Sequence, residues 1–275
     1  MSDKRSYTGR TCVITGAGSG IGRALAVELT GRGARLAISD VDELGLAETA
    51  ELCKGTGSEP RTYRVDVADR AAVYAHAEQV VADFGTVNLV VNNAGVALHG
   101  PVAEITDEDF RWVMDIDFWG VVHGTQAFLP HLVASGDGQV ANVSSVFGLI
   151  GVPKQAAYNA AKFAVRGFTE ALRQEMQLSG TPVAVSCIHP GGIRTQIARR
   201  ARATASEDKA EMATNFDKLA RTSPPRAARI ILKGLERDKP RILVGPDAWF
   251  LAALPRVLGS SYGRVVARGA SRLES

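Results

Sequence analysis

In the stretch AAYNAAKFAVRGFTEAL, Tyr158 and Lys162 stand four residues apart. The stretch reads as helix, and positions i and i+4 of a helix are neighbours on one face. An ammonium beside a phenol favours the phenolate. Two unit charges about 4 Å apart at an effective dielectric of 20 attract by roughly 4 kcal/mol, before desolvation is counted. A Tyr–Lys pair of this kind is a candidate general base. The same spacing also fits an ordinary exposed helical face, so the rest of the chain has to decide between the two.

A second group of residues suits a nucleotide. The apolar run TCVIT leads directly into TGAGSGIG, which places Gly16, Gly20 and Gly22 at a turn and the start of the next helix. Glycines there allow a tight turn and a close approach of backbone to a pyrophosphate, whose charge is favoured at a helix N-terminus. A glycine loop between a strand and a helix points to a dinucleotide, and no Lys–Ser/Thr pair closes it as in a P-loop. Asp40 ends the second apolar run, about twenty residues on. A carboxylate there can hold ribose hydroxyls and repel a 2′-phosphate. Its neighbours Ser39 and Val41, and Ser19 in the loop, are uncharged. NAD is therefore expected over NADP. Asp40 also fits a helix cap, a role for which Asp42 is better placed.

These residues need elements to position them. Seven short runs rich in Val and Ile read as buried strands: 11–15, 35–39, 61–65, 88–92, 139–144, 182–188 and 241–244. Helical patterns at 21–32, 43–53 and 69–83 lie between them. The alternation predicts an α/β fold, a parallel sheet with helices on both faces. No repeat, low-complexity tract or linker divides the chain, so residues 1–275 are expected to form a single domain. Residues 196–222 are charged and Ala-rich, and read as a lid beside a cleft or as a solvated connecting helix pair. The extension 246–275 mixes apolar residues with Arg and is interrupted by Pro255. Cover for a subunit interface or a pocket is expected of it in preference to contact with a membrane surface.

Composition narrows the classes. Hydrophobic residues make up 45% of the 275 and charged residues 22%, which is ordinary for a soluble protein. A net charge of +3 without a basic–aromatic stripe argues against nucleic acid. The three cysteines have neither disulfide nor zinc spacing, so no metal is expected. No run is long enough to span a membrane and no signal peptide is evident, so a cytoplasmic location is expected.

With TGAGSGIG and YNAAK about 140 residues apart, the sequence resembles the classical short-chain dehydrogenase/reductase family over roughly residues 8–245. NNAG (92–95), NVSS (142–145) and HPGGIRT (189–195) fall in the family's order. The resemblance implies a Rossmann-type doubly wound sheet of seven parallel strands in the order 3-2-1-4-5-6-7. It also implies hydride transfer between NAD and a secondary alcohol or ketone. Tyr158 would exchange the hydroxyl proton, Lys162 would lower the Tyr pKa and hold the nicotinamide ribose, and Ser145 would bond the substrate oxygen. Cofactor contacts would come from Gly16, Ser19, Gly20, Ile21, Gly22, Asp40, Asp66, Val67, Asn93, Ala94, Gly95, Tyr158 and Lys162. Pro190, Gly191, Ile193 and Thr195 would complete them at the nicotinamide end.

One position departs from the family. Asp117 stands where the family has an Asn that holds a relay water beside the Lys. An ionised Asp only accepts hydrogen bonds. It can hold the water turned round, or pair with Lys162. A catalytically weak or inactive NAD-binding sensor or scaffold of the same fold therefore stands as the alternative. Phe147, Leu149, Ile150 and Val152 are expected near the pocket and suggest an apolar, bulky or cyclic substrate. Arg194, Arg199, Arg200 and Arg202 read as a solvated helix face. His99 and His189 read as structural, without an evident acidic partner. In the family the helices near 107–134 and 155–178 meet symmetry mates. Trp112, Trp119, Phe128, Phe163 and Phe168 on them imply a homo-oligomer, a tetramer or a dimer.

Overall fold

The computed structural model describes residues 5–55 and 59–271, so the outermost residues of the expected domain and extension lie outside it. Seven strands form one parallel sheet: β1 (Thr11–Thr15), β2 (Arg35–Asp40), β3 (Arg61–Arg64), β4 (Leu89–Asn92), β6 (Gly138–Val143), β7 (Val183–Pro190) and β9 (Arg241–Val244). Their order is β3-β2-β1-β4-β6-β7-β9, the expected arrangement once two short interposed strands are counted. Those two, β5 (Leu98–His99) and β8 (Arg202–Ala203), pair in parallel outside the main sheet. At two residues each they carry no periodicity that a sequence reading can detect.

The central strands are apolar on both sides because both sides are covered. In β1, Cys12 and Ile14 face one core while Val13 faces the other, and in β4 Leu89 and Val91 oppose Val90 in the same way. Helices α1 (Gly20–Thr30), α2 (Glu43–Cys53) and α8 (Pro224–Leu235) contribute Leu25, Leu29, Leu46, Ile231 and Leu235 to the first core. Helices α3 (Arg70–Phe84), α5 (Gly120–Ala134) and α6 (Ala156–Leu178) contribute Val73, Val80, Phe128, Leu132 and Leu172 to the second. Local chemistry sets the helix starts. Asp42 accepts from the Gly45 amide at 3.0 Å and so caps α2, while Asp69 accepts from Ala71 and Ala72 at 2.9 and 3.1 Å and caps α3.

Helix α4 (Asp107–Met114) does not run straight into α5. Residues Asp115–Trp119 form a π-turn between them. Such turns accumulate where a side chain has to be re-aimed. A buried polar ladder ties the same elements together. The Asn92 amide donates to Asn142 at 2.8 Å and to Thr125 at 3.1 Å, and the Asn142 amide donates to Thr169 at 3.0 Å. It links β4, β6, α5 and α6 beneath the residues of interest. Helices α7 (Lys209–Leu219), α9 (Pro246–Leu258) and α10 (Tyr262–Ser271) complete the described chain. No helix among the described residues is long and apolar enough to cross a membrane.

His76 on α3 is buried between Tyr63 and Phe128, at ring separations of 4.7 and 5.7 Å. Burial pushes its pKa down to about 4, and burial likewise pushes that of His189 down to about 4. A folded-state pKa below the unfolded one means that the unfolded chain takes up the proton first. Stability is therefore lost as pH falls from about 6.5 towards 4, by at most about 3 kcal/mol per histidine. The melting temperature should drop across that window. His76→Phe, which fills the same space without a titrating group, should reduce the drop. Equal slopes for the two proteins in pH-dependent thermal melts would assign the effect to other groups.

Candidate active site

The turn after β1 is held by the turn after β4. The Thr15 hydroxyl accepts from the amides of Asn93 and Ala94 at 3.0 and 3.1 Å. The Asn93 side chain donates back to the carbonyls of Thr15 and Gly16 at 2.9 and 3.1 Å. Gly16 has φ +65°, and a Cβ on it would lie 2.7 Å from the Ala94 Cα. A Cβ on Gly22 would lie 2.2 Å from the Gly16 carbonyl oxygen, so α1 reaches this close to the turn only through glycine. Ser19 precedes α1 without a side-chain capping bond, and no acidic residue occupies the first turn. The first amides of α1 thus have no side-chain acceptor, which fits an anionic pyrophosphate.

Asp40 ends β2 and its carboxylate accepts from the Gly18 amide at 2.8 Å and the Asp42 amide at 3.0 Å. It is a loop clamp, and Asp42 is the helix cap. Asp66 is exposed and accepts from the Ala68 amide at 2.9 Å, while Val67 is buried under Gly120. Two cations come closer to this end than the sequence suggests. Arg23 of α1 bonds the carbonyl of Gly18 and the carboxylate of Glu48, and Arg200 pairs with Asp42 at 3.1 Å. Both are engaged by protein groups.

The loop after β7 meets the glycine loop: a Cβ on Gly20 would stand 3.1 Å from the Thr195 methyl. Pro190 ends the strand, and Gly191 donates to the Val244 carbonyl at 2.9 Å. Ile193 is buried and forms a backbone bridge with Thr222. Asp247, at the start of α9, accepts from the Gly192 amide at 2.6 Å. Its carboxylate fills the space that side chains on Gly191 and Gly245 would need. Asp247 was not among the sequence candidates, because nothing local marks a carboxylate 55 residues away from the turn it holds.

Tyr158, Lys162, Ser145 and Asp117 converge at the C-terminal edge of the sheet. The Lys162 ammonium lies 5.5 Å from the centre of the Tyr158 ring. It is 3.0 Å from the Asp117 carboxylate and donates to the Val143 carbonyl at 3.3 Å. Asp117 sits in the π-turn, is fully buried, and also accepts from the Val96 amide at 2.7 Å. Asp117 thus takes the ion-pair option. Ser145 lies at the end of β6, buried, and accepts from the Phe147 amide at 3.1 Å. Gly95 is adjacent: a Cβ there would be 3.3 Å from the Lys162 ammonium and 3.4 Å from Asp117.

The electrostatics differ from the simple Tyr–Lys argument. Burial is the largest influence on Tyr158 and raises its pKa; Lys162 and a hydrogen bond with Ser145 act against it, and Asp117 adds to it. The net direction is up, so desolvation outweighs the ammonium. Burial likewise raises the Asp117 carboxyl, against Lys162 and the Val96 amide. For Lys162, burial works against the ammonium, yet Asp117 and then Tyr158 more than offset it and hold its pKa high.

Several expectations about the surroundings need correction. His99 does have an acidic partner, the Glu207 carboxylate at 3.1 Å, and contacts the Gln155 amide at 2.8 Å. Lys154 joins the same Glu207 at 2.9 Å. The partners are 108 residues apart, beyond the reach of any spacing argument. His189 is fully buried with Nδ1 on the Ser145 carbonyl at 2.9 Å. Arg194, Arg199, Arg200 and Arg202 do not lie on a helix: the first three are exposed, and Arg199, Arg200 and Arg202 pair with Asp217, Asp42 and Asp109. Leu149 and Ile150 are buried, leaving Phe147, edge-on to Tyr158 at 6.0 Å, and Val152 as the partly exposed members of that group. Of the five aromatics expected at a subunit interface, Phe128 belongs to the core and Trp112 lies under Arg202, while Trp119 and Phe163 are exposed.

The fold and this constellation define a class. The sequence profile of the short chain dehydrogenase family matches residues 10–206, and the chain belongs to that family of oxidoreductases. SadH of Mycobacterium tuberculosis (strain ATCC 25618 / H37Rv), named as an oxidoreductase, is 54% identical over 268 residues, covering 97% of each chain. Estradiol 17-beta-dehydrogenase 11 of Homo sapiens is 29% identical over 266 residues, covering 96% of this chain and 84% of the relative. The crystal structure of a short chain dehydrogenase/reductase from Burkholderia phymatum in complex with NAD matches with a TM-score of 0.86. Its identity is 30%, over 92% of this chain and 95% of that one.

Proposed function

We propose that the protein is an NAD-dependent dehydrogenase or ketone reductase for an apolar, bulky or cyclic secondary alcohol. The observation that carries this reading is the convergence of Ser145, Tyr158 and Lys162, in a chain whose glycine loop fits a dinucleotide. The bound nicotinamide would take or give the hydride. Tyr158 exchanges the hydroxyl proton, Ser145 bonds the substrate oxygen, and Lys162 biases the phenol towards phenolate and reaches the nicotinamide ribose. Asp40 sets the preference for NAD. Asp66 and Val67 border the adenine, Asn93 to Gly95 wall the cofactor, and Pro190 to Thr195 hold the carboxamide end. Phe147 and Val152 give the substrate an apolar wall, in keeping with the steroid alcohol in the human relative's name. Residues 196–222 act as a lid, tethered through Glu207 to His99 and Lys154. The three cysteines are buried and none is in a disulfide, which suits a reducing compartment, and the cytoplasm is the proposed location.

The Asp117–Lys162 pair favours one second reading, an NAD-binding protein without turnover, because the ammonium is already engaged. A turnover assay with NAD and a panel of secondary alcohols separates the two. Tyr158→Phe should lower kcat by about 10²–10⁴-fold. Oxidation should rise with pH, because burial and Asp117 hold the Tyr158 pKa up. Asp117→Asn removes an anion that opposes the phenolate, so the basic limb of kcat/KM should move to lower pH. An unmoved limb with activity retained would rule out the coupling. Turnover seen only in Asp117→Asn, with NADH binding in both, would favour the second reading.

The cofactor assignment has its own check. NAD should give the higher kcat/KM, and Asp40→Asn, which removes the charge and keeps one of the two oxygens that accept from Gly18 and Asp42, should narrow its lead over NADP by at least about tenfold, or 1.4 kcal/mol. Equal use of both by the natural chain would sink the assignment. The exposed Trp119 and Phe163, on the helical side that meets symmetry mates in the family, support a homotetramer or dimer. Light scattering at micromolar concentration should report a multiple of 29.2 kDa; a monomer would refute it.

A further inference from the structure

The C-terminal helices are anchored to the loops that flank the proposed site. Asp247 at the start of α9 holds the Gly192 amide at 2.6 Å, and the Tyr262 hydroxyl at the head of α10 accepts from the Gly151 amide at 3.1 Å. The inner side of α9 is apolar, with Ala248 fully buried and Leu251, Ala252 and Pro255 partly covered. Its outer side is apolar as well. Trp249, Phe250 and Val257 are 66%, 63% and 78% exposed. Residues 249, 253 and 257 recur at intervals of four and form one stripe, with Phe250 beside it. A stripe with two aromatic rings turned to water marks a contact surface.

Charge identifies the occupant. From Ala248 to Ser271 the chain holds Arg256, Arg264 and Arg268 and no Asp or Glu. A second copy meeting this face across a two-fold axis would set the same cationic segment against itself, with no carboxylate of the segment to neutralise it. An anionic phospholipid surface supplies what the face lacks. Aromatic rings settle at headgroup level, aliphatic side chains reach the acyl boundary and arginines meet phosphates. Thirteen residues of α9 make a rod of about 20 Å against a hydrocarbon core of about 30 Å, so the helix lies in the interface and does not cross it.

We propose that α9 and α10 form a docking face for an anionic phospholipid surface, with Trp249, Phe250 and Val257 as the apolar insert and Arg256 and Arg264 as headgroup contacts. This departs from the sequence expectation, which set membrane contact behind cover for an interface or a pocket. Docking stands independently of the reaction. Its consequence, that an apolar alcohol passes from the lipid to the loop at Gly151, rests on the proposed function.

Co-sedimentation of the full chain with phosphatidylcholine vesicles, with and without phosphatidylglycerol, tests it. Binding should require phosphatidylglycerol and weaken with added salt. Trp249→Ser combined with Phe250→Ser should lower partitioning by at least about tenfold. Arg264→Ala should lower it by about fivefold. Both variants alter exposed side chains and should keep the natural melting temperature and NADH binding. Absence of binding to phosphatidylglycerol vesicles, or unchanged binding of the serine variant, overturns the proposal. So does a fall in the lipid-free molecular mass of the serine variant by light scattering, which would assign the face to a second copy. No arm reads turnover, so failure of docking and failure of the oxidoreductase reading are told apart.

Discussion

The ammonium of Lys162 is buried, and a buried ammonium left unpaired would cost several kcal/mol. Meeting that demand organises the centre of the molecule. Asp117 supplies the counter-charge at 3.0 Å and the Val143 carbonyl an acceptor at 3.3 Å. To bring Asp117 inward the helix before β6 opens into a π-turn, and to leave room the chain carries glycine at position 95. The second Asp117 oxygen takes the Val96 amide at 2.7 Å. One ion pair therefore holds α6, the π-turn, the end of β6 and the turn after β4 in register. A neutral Asn could satisfy the same amide but would leave the ammonium without its counter-charge.

The nucleotide end follows a different logic, in which backbone groups are the structural material. Thr15 and Asn93 exchange bonds across the first and fourth strands until both turns are satisfied, so neither loop depends on a ligand for its shape. Asp40 uses its carboxylate on amides of the same loops. Its charge then stays at the sheet edge, where a ribose would sit in the proposed complex. Preorganisation of this kind lowers the ordering cost of binding.

A further set of long-range contacts comes from the C-terminal half of the chain. Glu207 reaches back to His99 and Lys154, Asp247 to Gly192, and Tyr262 to Gly151. Each contact joins segments distant in sequence. They tie the 196–222 segment and the α9–α10 pair to the loops that carry the proposed cofactor and substrate contacts.

The amino-acid order was enough to locate all seven main strands to within about two residues at either end. It was enough as well for the pairing of Tyr158 with Lys162 and for the glycine turn. Strand burial, i,i+4 adjacency and glycine requirements are local, so they are written in neighbouring residues. It did not reveal that desolvation outweighs Lys162 at Tyr158, that Asp117 is drawn in by a π-turn, that Asp247 grips the 191–192 turn, or that Glu207 meets His99. Nor did it reveal which side of an apolar helix is covered: Phe128 faces the sheet, whereas Trp249 and Phe250 face solvent. Burial, counter-charge and exposure are properties of what lies opposite a residue in space. For these residues the opposite group lies on a distant segment, or on none of the segments described, and only the folded chain brings it near or leaves the face open.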